Sequence, residues 1–447
     1  GMSRLQIGTE PGTVFLLPQW MGAKGRNMVS TAQSKIALVL AGGGLTGSVY
    51  EIGALRAIDD LLVDRTVNDL DIYVGTSAGA LVASCLANGL SPEEMLQAFD
   101  GSHPEVRALE RGHIFRPNSR EFRRRMVGLP RVFLGAWSHY LRHITDMTMF
   151  DLIWSLTEAI PSGMYDILAL ERYLRQVLDA QGLCNNFREL EHELYIIATD
   201  LDTGDRLVFG HDGWEEVPIS LAAAASSAMP LLYNPVRVGE KDCVDGGLRG
   251  NASLDVAIEQ GAKLVICINP MVPYDNADLD CIPFLGPDGG YLSEKGAQGI
   301  ASQMMRILMH SGLHYHIKQL RRTHPDVDII LIEPRPDDYK MFFYNIMRYS
   351  ARLTVARHGF ESVTMDLAED YAHYKQILAR HGVPMSRRLV ISELAEIEES
   401  GHDPDVIRRI LEARPACCNR RSRGTPVCRL TRTLAELDMA LDLMAEV

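Results

Sequence analysis

A surplus of basic charge, paired cysteine motifs and long apolar runs are all missing from this 447-residue chain. Lysine and arginine number 45 against 58 acidic residues, a formal charge of −13, which excludes the basic footprint of a nucleic-acid binder. That average leaves room for a local basic patch. The cysteines (Cys85, Cys184, Cys243, Cys267, Cys281, Cys417, Cys418 and Cys428) form no CxxC pair and no zinc-finger spacing, so packed free thiols in a reducing compartment are expected. No window reaches the roughly 20 apolar residues of a membrane-spanning helix, and residues 13–17 (TVFLL) are too short for the core of a signal peptide. The expectation is a cytoplasmic protein that works in water or at a membrane surface. Gly1 ahead of Met2 reads as the remnant of a removed tag.

What is present is a 46% hydrophobic composition, ample for a large core. Residues 1–34 show no period and read as an extension. Residues 35–40 (KIALVL) then run apolar up to Gly42-Gly43-Gly44, the pattern of a strand buried on both faces of a parallel sheet. Val49, Ile52, Leu55, Ile58 and Leu62 follow at helical spacing, and a second strand, 70–74, ends at Gly75. Strand, glycine turn, helix, strand is a βαβ unit, which predicts an α/β fold. Helical patterns without a strand fill about 90–190. A hairpin is expected over 193–209, a small-residue helix over 220–229, and further alternation through helix 253–260, strand 263–268, helix 298–322 and strand 327–332. Helical patterns occupy 341–380. Residues 415–432 carry five arginines and no acid, and read as a linker before a terminal helix. The expected domains are the extension 1–34, a catalytic domain 35–380 with a helical insertion at about 90–190, and a helical C-terminal extension 381–447.

Gly75-Thr76-Ser77-Ala78-Gly79 stands where the second strand passes into a helix. GxSxG in that context is a nucleophile elbow, a tight turn that projects the serine outward. Gly42-Gly43-Gly44-Leu45-Thr46-Gly47 joins the first strand to its helix, where backbone amides suit a phosphate or the oxyanion of acyl transfer. Read as GxGxxG, the loop requires an acidic residue at the end of the second strand, where this chain has Val74-Gly75-Thr76-Ser77; read as a P-loop, it lacks the lysine. Asp245-Gly246-Gly247 is by itself only a common turn.

In this order, the glycine loop, GTSAG and Asp-Gly-Gly resemble the patatin-like phospholipase family. Ala198-Thr199-Asp200-Leu201-Asp202-Thr203-Gly204 and Ala225-Ser226-Ser227-Ala228-Met229-Pro230 are similar to the segments that lead to the aspartate in that family. The resemblance covers about 35–270 well and 270–380 weakly. It implies a three-layer α/β/α hydrolase with a mostly parallel central sheet and a helical cap, cleaving carboxylic esters of lipids through a Ser–Asp dyad without metal or cofactor. Ser77 is then the nucleophile and Asp245 the base. Gly42, Gly43 and Gly44 form the oxyanion hole, and Gly47, Gly75, Gly79, Gly246 and Gly247 are the motif glycines. Thr46 stands where the family usually has a basic residue, which leaves the amides but removes that charge. The competing readings are a Ser–Asp–His triad using His310, His314, His316, His324, His358, His373 or His381, a nucleotide- or ligand-binding module, and a non-catalytic scaffold.

Other features have plainer explanations. His310 and His314 are four apart, but the glutamate position of HExxH is Ser311, so a packed or solvated helix face is expected and no metal. Met341-Phe342-Phe343-Tyr344 reads as core. Between Arg107 and Arg142, nine arginines face two acids, interleaved with Phe115, Phe122, Phe133, Trp137 and Tyr140. That insertion is a solvated cap or, with Arg123, Arg124 and Arg125, a contact for anionic lipid head groups.

Overall fold

The computed structural model describes residues 34–63, 65–104, 106, 108–127, 134, 161–179, 182–277, 290–336 and 349–412. The Met341 to Tyr344 run and the Cys417, Cys418 and Cys428 segment lie outside them, as do Arg107, Arg131 and Arg142.

The apolar run at 35–40 is strand β1 (Lys35–Leu40). Helix α1 (Gly44–Leu61) returns the chain to β2 (Ile72–Thr76), and helices α2 (Ala78–Ala87) and α3 (Pro92–Asp100) follow. Ser91 caps α3 by accepting the Glu94 N–H, and the Glu94 carboxylate accepts the Ser91 N–H in return, a reciprocal capping box with Pro92 at the first helical position.

Short strand β3 (Gly163–Tyr165) precedes helix α4 (Leu168–Leu178), and the expected hairpin forms from β4 (Glu193–Asp200) and β5 (Arg206–Phe209). Helix α5 (Ile219–Ser226) leads to β6 (Leu231–Tyr233), β7 (Val236–Val238) and β8 (Lys241–Asp245). Helix α6 (Leu254–Glu259), β9 (Ala262–Ile268), the long helix α7 (Gly296–Thr323) and β10 (Asp328–Ile332) continue the alternation. Helices α8 (Tyr349–Glu369), α9 (Tyr371–Arg380), α10 (Arg388–Glu399) and α11 (Pro404–Glu412) complete the described chain. The region 90–190, read as helical only, contains β3. Three residues are too few to show a period, and β3 exists through its parallel pairing with β6.

The central sheet runs β10-β9-β1-β2-β4 in parallel, with β5, β8 and β7 added antiparallel. Alternate residues of β1 face opposite ways. Ile36, Leu38 and Leu40 pack with α1, α2, α5 and α8, while Ala37 and Val39 pack with α6 and α7. Helices therefore cover both faces, and the fold is a three-layer α/β/α arrangement. The chain winds one way from β1 to β2 and β4, then crosses back to β9 on the other flank of β1. Ligands in open α/β sheets bind at such a reversal, outside the carboxyl ends of the strands.

Helix α1 is buried along nearly its whole length because α8 crosses it at backbone contact. A Cβ on Gly53 would lie 1.9 Å from the Ala356 carbonyl oxygen, and one on Gly359 would lie 2.2 Å from that of Tyr50. Arg56, fully buried on α1, pairs with Asp60, with Glu93 at 3.2 Å and with Glu393 at 3.5 Å, and donates to the Ile410 carbonyl at 3.3 Å. Helices α10 and α11 thus join the same core as the sheet, and Val390, Ile397, Ile407, Ile410 and Leu411 belong to it.

Candidate active site

Ser77 follows directly on β2, in the left-handed region at φ 54°, a conformation that costs a non-glycine residue of order 1–3 kcal/mol. The glycines of GTSAG make the turn sterically feasible. A Cβ on Gly75 would meet Ala80 Cα at 2.5 Å, and one on Gly79 would meet the Leu40 carbonyl oxygen at 2.4 Å. The strained backbone is held from α5 and its end. The Ser77 N–H donates to Ser226 Oγ at 2.8 Å, Ser226 Oγ donates to the Ile197 carbonyl, and Ser227 Oγ donates to the Ser77 carbonyl at 3.0 Å.

Asp245 arrives by strand register. On one edge of β4, β2 pairs through Thr76 opposite Ile197, and β8 takes over with Asp245 opposite Ala198; β5 occupies the other edge. Two strands running in opposite directions therefore meet end to end along β4, and the residue after one faces the last residue of the other. Ser77 Oγ donates to Asp245 Oδ2 at 2.5 Å. The Gly247 N–H donates to Asp245 Oδ1 at 2.8 Å, while Thr199 Oγ1 holds the Asp245 carbonyl at 3.1 Å. Gly246 is required here because a Cβ would sit 2.2 Å from the Ile197 carbonyl oxygen. Burial pushes the Asp245 carboxyl up to about 6, against the downward pull of the Ser77 and Gly247 hydrogen bonds.

The glycine loop lies beside this pair. A Cβ on Gly42 would approach Ser77 Cβ to 3.2 Å, and one on Gly43 would strike Pro270 at 2.4 Å. The Gly42 N–H, expected as an oxyanion donor, is already committed to the Asn251 carbonyl at 3.1 Å, so Gly42 contributes close approach rather than a free donor. Gly43 caps α1 and Gly44 opens it, and their N–H groups take part in no backbone bond among the described residues. Gly47 packs α1 against Pro270.

Gly42, Gly43, Gly44, Ser77 and Asp245 share one cavity of about 170 Å³. Its remaining wall is mostly apolar and includes Phe115, Ile167, Met229, Met271 and Met309. A second cavity of about 70 Å³, lined by Cys85, Ala98, Phe99 and Tyr173 among others, shares Leu45, Ser48, Leu81, Leu109 and Leu170 with the first.

The late histidines are engaged elsewhere. His310 and His314 meet Glu333, His316 meets Asp255, His324 meets Thr323, His358 meets Glu361, His373 stacks edge-on with Tyr374, and His381 bonds Ser34 and Asp328. None of them lines the Ser77 cavity. Arg123, Arg124 and Arg125 lie on a helical segment, 119–127, that begins four residues after Phe115 of the cavity wall. Arg123 and Arg124 are exposed, Arg125 pairs with Glu121 at 3.3 Å, and Phe122, Met126 and Val127 are exposed beside them. Ser226 and Asn251 were not singled out by motif reasoning, although Ser226 lies inside the quoted ASSAMP segment.

A serine on a strained strand-to-helix turn, bonded to a buried carboxylate beside a glycine loop, defines a hydrolase-like α/β site. Residues 38–258, just under half of the chain, match the family model described as patatin-like phospholipase, and this segment is a patatin-like domain. Among its relatives is an uncharacterized protein of Acanthamoeba polyphaga mimivirus, 24% identical over 269 residues that cover 53% of this chain and 66% of that protein. Another, from Invertebrate iridescent virus 6, is described as a probable lipid hydrolase and is 18% identical over 226 residues, covering 51% of this chain and 64% of that protein. The chain thus spans slightly under two thirds of the length of these relatives. The crystal structure of VipD from Legionella pneumophila is matched over 75% of this chain and 67% of that chain, at a TM-score of 0.35 and 13% sequence identity. Among the described residues no helix is long and apolar enough to cross a membrane.

Proposed function

We propose that this protein is a lipid acyl hydrolase that cleaves carboxylic esters with a Ser77–Asp245 dyad. The observation that carries the reading is the 2.5 Å hydrogen bond from Ser77 Oγ to a buried carboxylate. The match of residues 38–258 to the patatin-like phospholipase family and the viral relative described as a probable lipid hydrolase support the substrate class.

The chemistry follows from the geometry. Asp245 takes the Ser77 proton as Oγ attacks the ester carbonyl, because a serine hydroxyl is a poor nucleophile until a base relieves it of that proton. A carboxyl held near 6 is a stronger base than an exposed aspartate yet ionised at neutral pH. The Gly43 and Gly44 amides, at the positive end of α1, receive the oxyanion. Protonated Asp245 then returns its proton to the leaving alcohol, and the same carboxylate activates the water that releases the acid. The acyl chain runs from Ser77 past Leu81 and Leu170 toward Cys85 and Tyr173, where the adjoining cavity is apolar. Exposed Arg123 and Arg124, beside exposed Phe122 and Met126, suit contact with an anionic lipid surface.

The test is hydrolysis of a lipid panel together with labelling by a fluorophosphonate. Wild-type protein is expected to label and hydrolyse, and Ser77→Ala and Asp245→Asn to do neither at a measurable rate. Labelling that survives in Ser77→Ala would overturn the assignment.

A further inference from the structure

Two imidazoles and a carboxylate converge outside the Ser77 cavity. His314 Nε2 lies 2.9 Å from Glu333 Oε2, and His310 Nε2 lies 3.5 Å from Glu333 Oε1. The histidines stand one turn apart on α7 with ring centroids 4.1 Å apart, and the ligating atoms of all three residues lie within 4.8 Å of one another. Glu333 comes from the residue after β10, so its approach could not be read from the HxxxH spacing. Donor type selects the ion: two imidazole nitrogens with one carboxylate suit a borderline-soft divalent metal such as zinc, with water in the fourth position, and suit magnesium or calcium poorly.

A hydrogen-bonded shell lies behind the carboxylate. Fully buried Asn269 donates to Glu333 Oε1 at 2.7 Å and accepts from Asn251 Nδ2 at 2.8 Å, and the Asn251 carbonyl accepts the Gly42 N–H at 3.1 Å. Outer partners of this kind orient a metal-binding carboxylate. His314 also borders a surface cleft of about 620 Å³, which supplies an entry path. Met309, adjacent to His310, reaches the wall of the Ser77 cavity.

We propose that His310, His314 and Glu333 form a Zn²⁺ site that fastens α7 to the rim of the sheet and so holds Met309 against the Ser77 cavity. An ion joining the helix to the strand end constrains both, whereas a histidine–glutamate ion pair alone would do so weakly at a surface.

The test uses the full chain stripped of metal with a chelator and titrated with Zn²⁺ by calorimetry, with Co²⁺ spectra and Tm as second readouts. One Zn²⁺ per chain is expected, with a tetrahedral Co²⁺ spectrum and a Zn²⁺-dependent rise in Tm. Mg²⁺ should give neither. Glu333→Gln, which keeps the hydrogen-bonding shape, and His310→Gln/His314→Gln should each weaken Zn²⁺ binding at least about tenfold and abolish the Tm rise. Ser77→Ala should bind Zn²⁺ as wild type does, so failure of the hydrolase reading leaves this result untouched. Binding and a Tm rise that persist in the double histidine variant would overturn the proposal, as would absence of stoichiometric binding by natively folded wild type.

Discussion

Ser226 Oγ accepts the Ser77 N–H at 2.8 Å and donates its own hydroxyl hydrogen bond to the Ile197 carbonyl. One hydroxyl on α5 thus joins the nucleophile turn to the strand that also positions the base. Ser226→Ala leaves a buried donor and a buried acceptor without partners, which costs about 1–3 kcal/mol for each group. It also frees a backbone that is held at φ 54°. Turnover is expected to fall more than about tenfold, with a smaller change in KM, because transition-state geometry depends on sub-ångström placement. Kinetics and urea unfolding on the same samples check this. Lost stability with wild-type kcat would show that Ser226 supports the fold and not the turn.

Activity and stability should respond to pH in opposite senses. With its carboxyl at about 6, Asp245 is a competent base only above that value, so kcat/KM rises with pH through about 6 and levels off. The folded value is raised above the ordinary ~3.9 of an aspartate, so between about 4 and 6 the native state binds more protons than the unfolded state. Stability contributed by the protonated carboxyl is therefore present below about 4 and lost as pH rises through about 6. Asp245→Asn is expected to be inactive yet more stable than wild type at pH 8 by on the order of 2–3 kcal/mol, a gap that closes near pH 4. Denaturant unfolding at both pH values measures it. An equal gap at pH 4 and pH 8 would assign the effect to something other than the carboxyl.

Acyl-chain preference should follow the adjoining cavity. Ala98 and Cys85 line it and do not line the Ser77 cavity, so Ala98→Trp and Cys85→Trp fill the space while leaving Ser77 and Asp245 untouched. The expected outcome is a shift of the preferred ester toward shorter chains, with hydrolysis of a short-chain ester retained within about threefold. Each methylene that no longer fits forfeits of order 0.8 kcal/mol, so long-chain esters should lose at least about tenfold. A uniform loss across chain lengths would place the acyl group elsewhere.

Membrane contact can be tested on the described part of the insertion. Arg123→Glu/Arg124→Glu/Arg125→Glu reverses three charges on the 119–127 segment, and co-sedimentation with anionic vesicles is expected to drop several-fold, at roughly 1 kcal/mol for each basic residue near the surface. Neutral vesicles should bind both proteins weakly and alike. Binding to anionic vesicles that is unchanged in the triple variant would dissociate these arginines from the lipid surface.

The elements legible in the sequence are those with long, distinctive patterns. The apolar run of β1, the helical spacing of α1 and the GTSAG turn each carried their own signal. Asp245 was visible only through resemblance, because its position depends on β8 replacing β2 along an edge of β4. That is a register fact spread over three separate segments. Strands β3, β6 and β7, of three residues each, show no period of their own and exist through their pairing. The motif reads Gly42 as an oxyanion donor, but its N–H is taken by the Asn251 carbonyl, a partner 209 residues away that no local pattern encodes. Glu333 joins His310 and His314 across an intervening strand, and no linear spacing encodes that.

Arg56 has a consequence for biosynthesis. Its guanidinium is fully enclosed, and part of what encloses it, Glu393 and the Ile410 carbonyl, comes from α10 and α11. A buried donor left without its acceptor costs about 1–3 kcal/mol. A nascent chain that has delivered the GTSAG turn but not residues 388–412 keeps Asp60 and Glu93 beside the guanidinium but lacks two of its acceptors, Glu393 and the Ile410 carbonyl, under the helix that the glycine loop begins. The nucleophile is made early on the ribosome, whereas the acceptors that α10 and α11 give to Arg56 arrive only when α11 has emerged. The complete set of partners around Arg56 is thereby tied to the end of synthesis of the described domain.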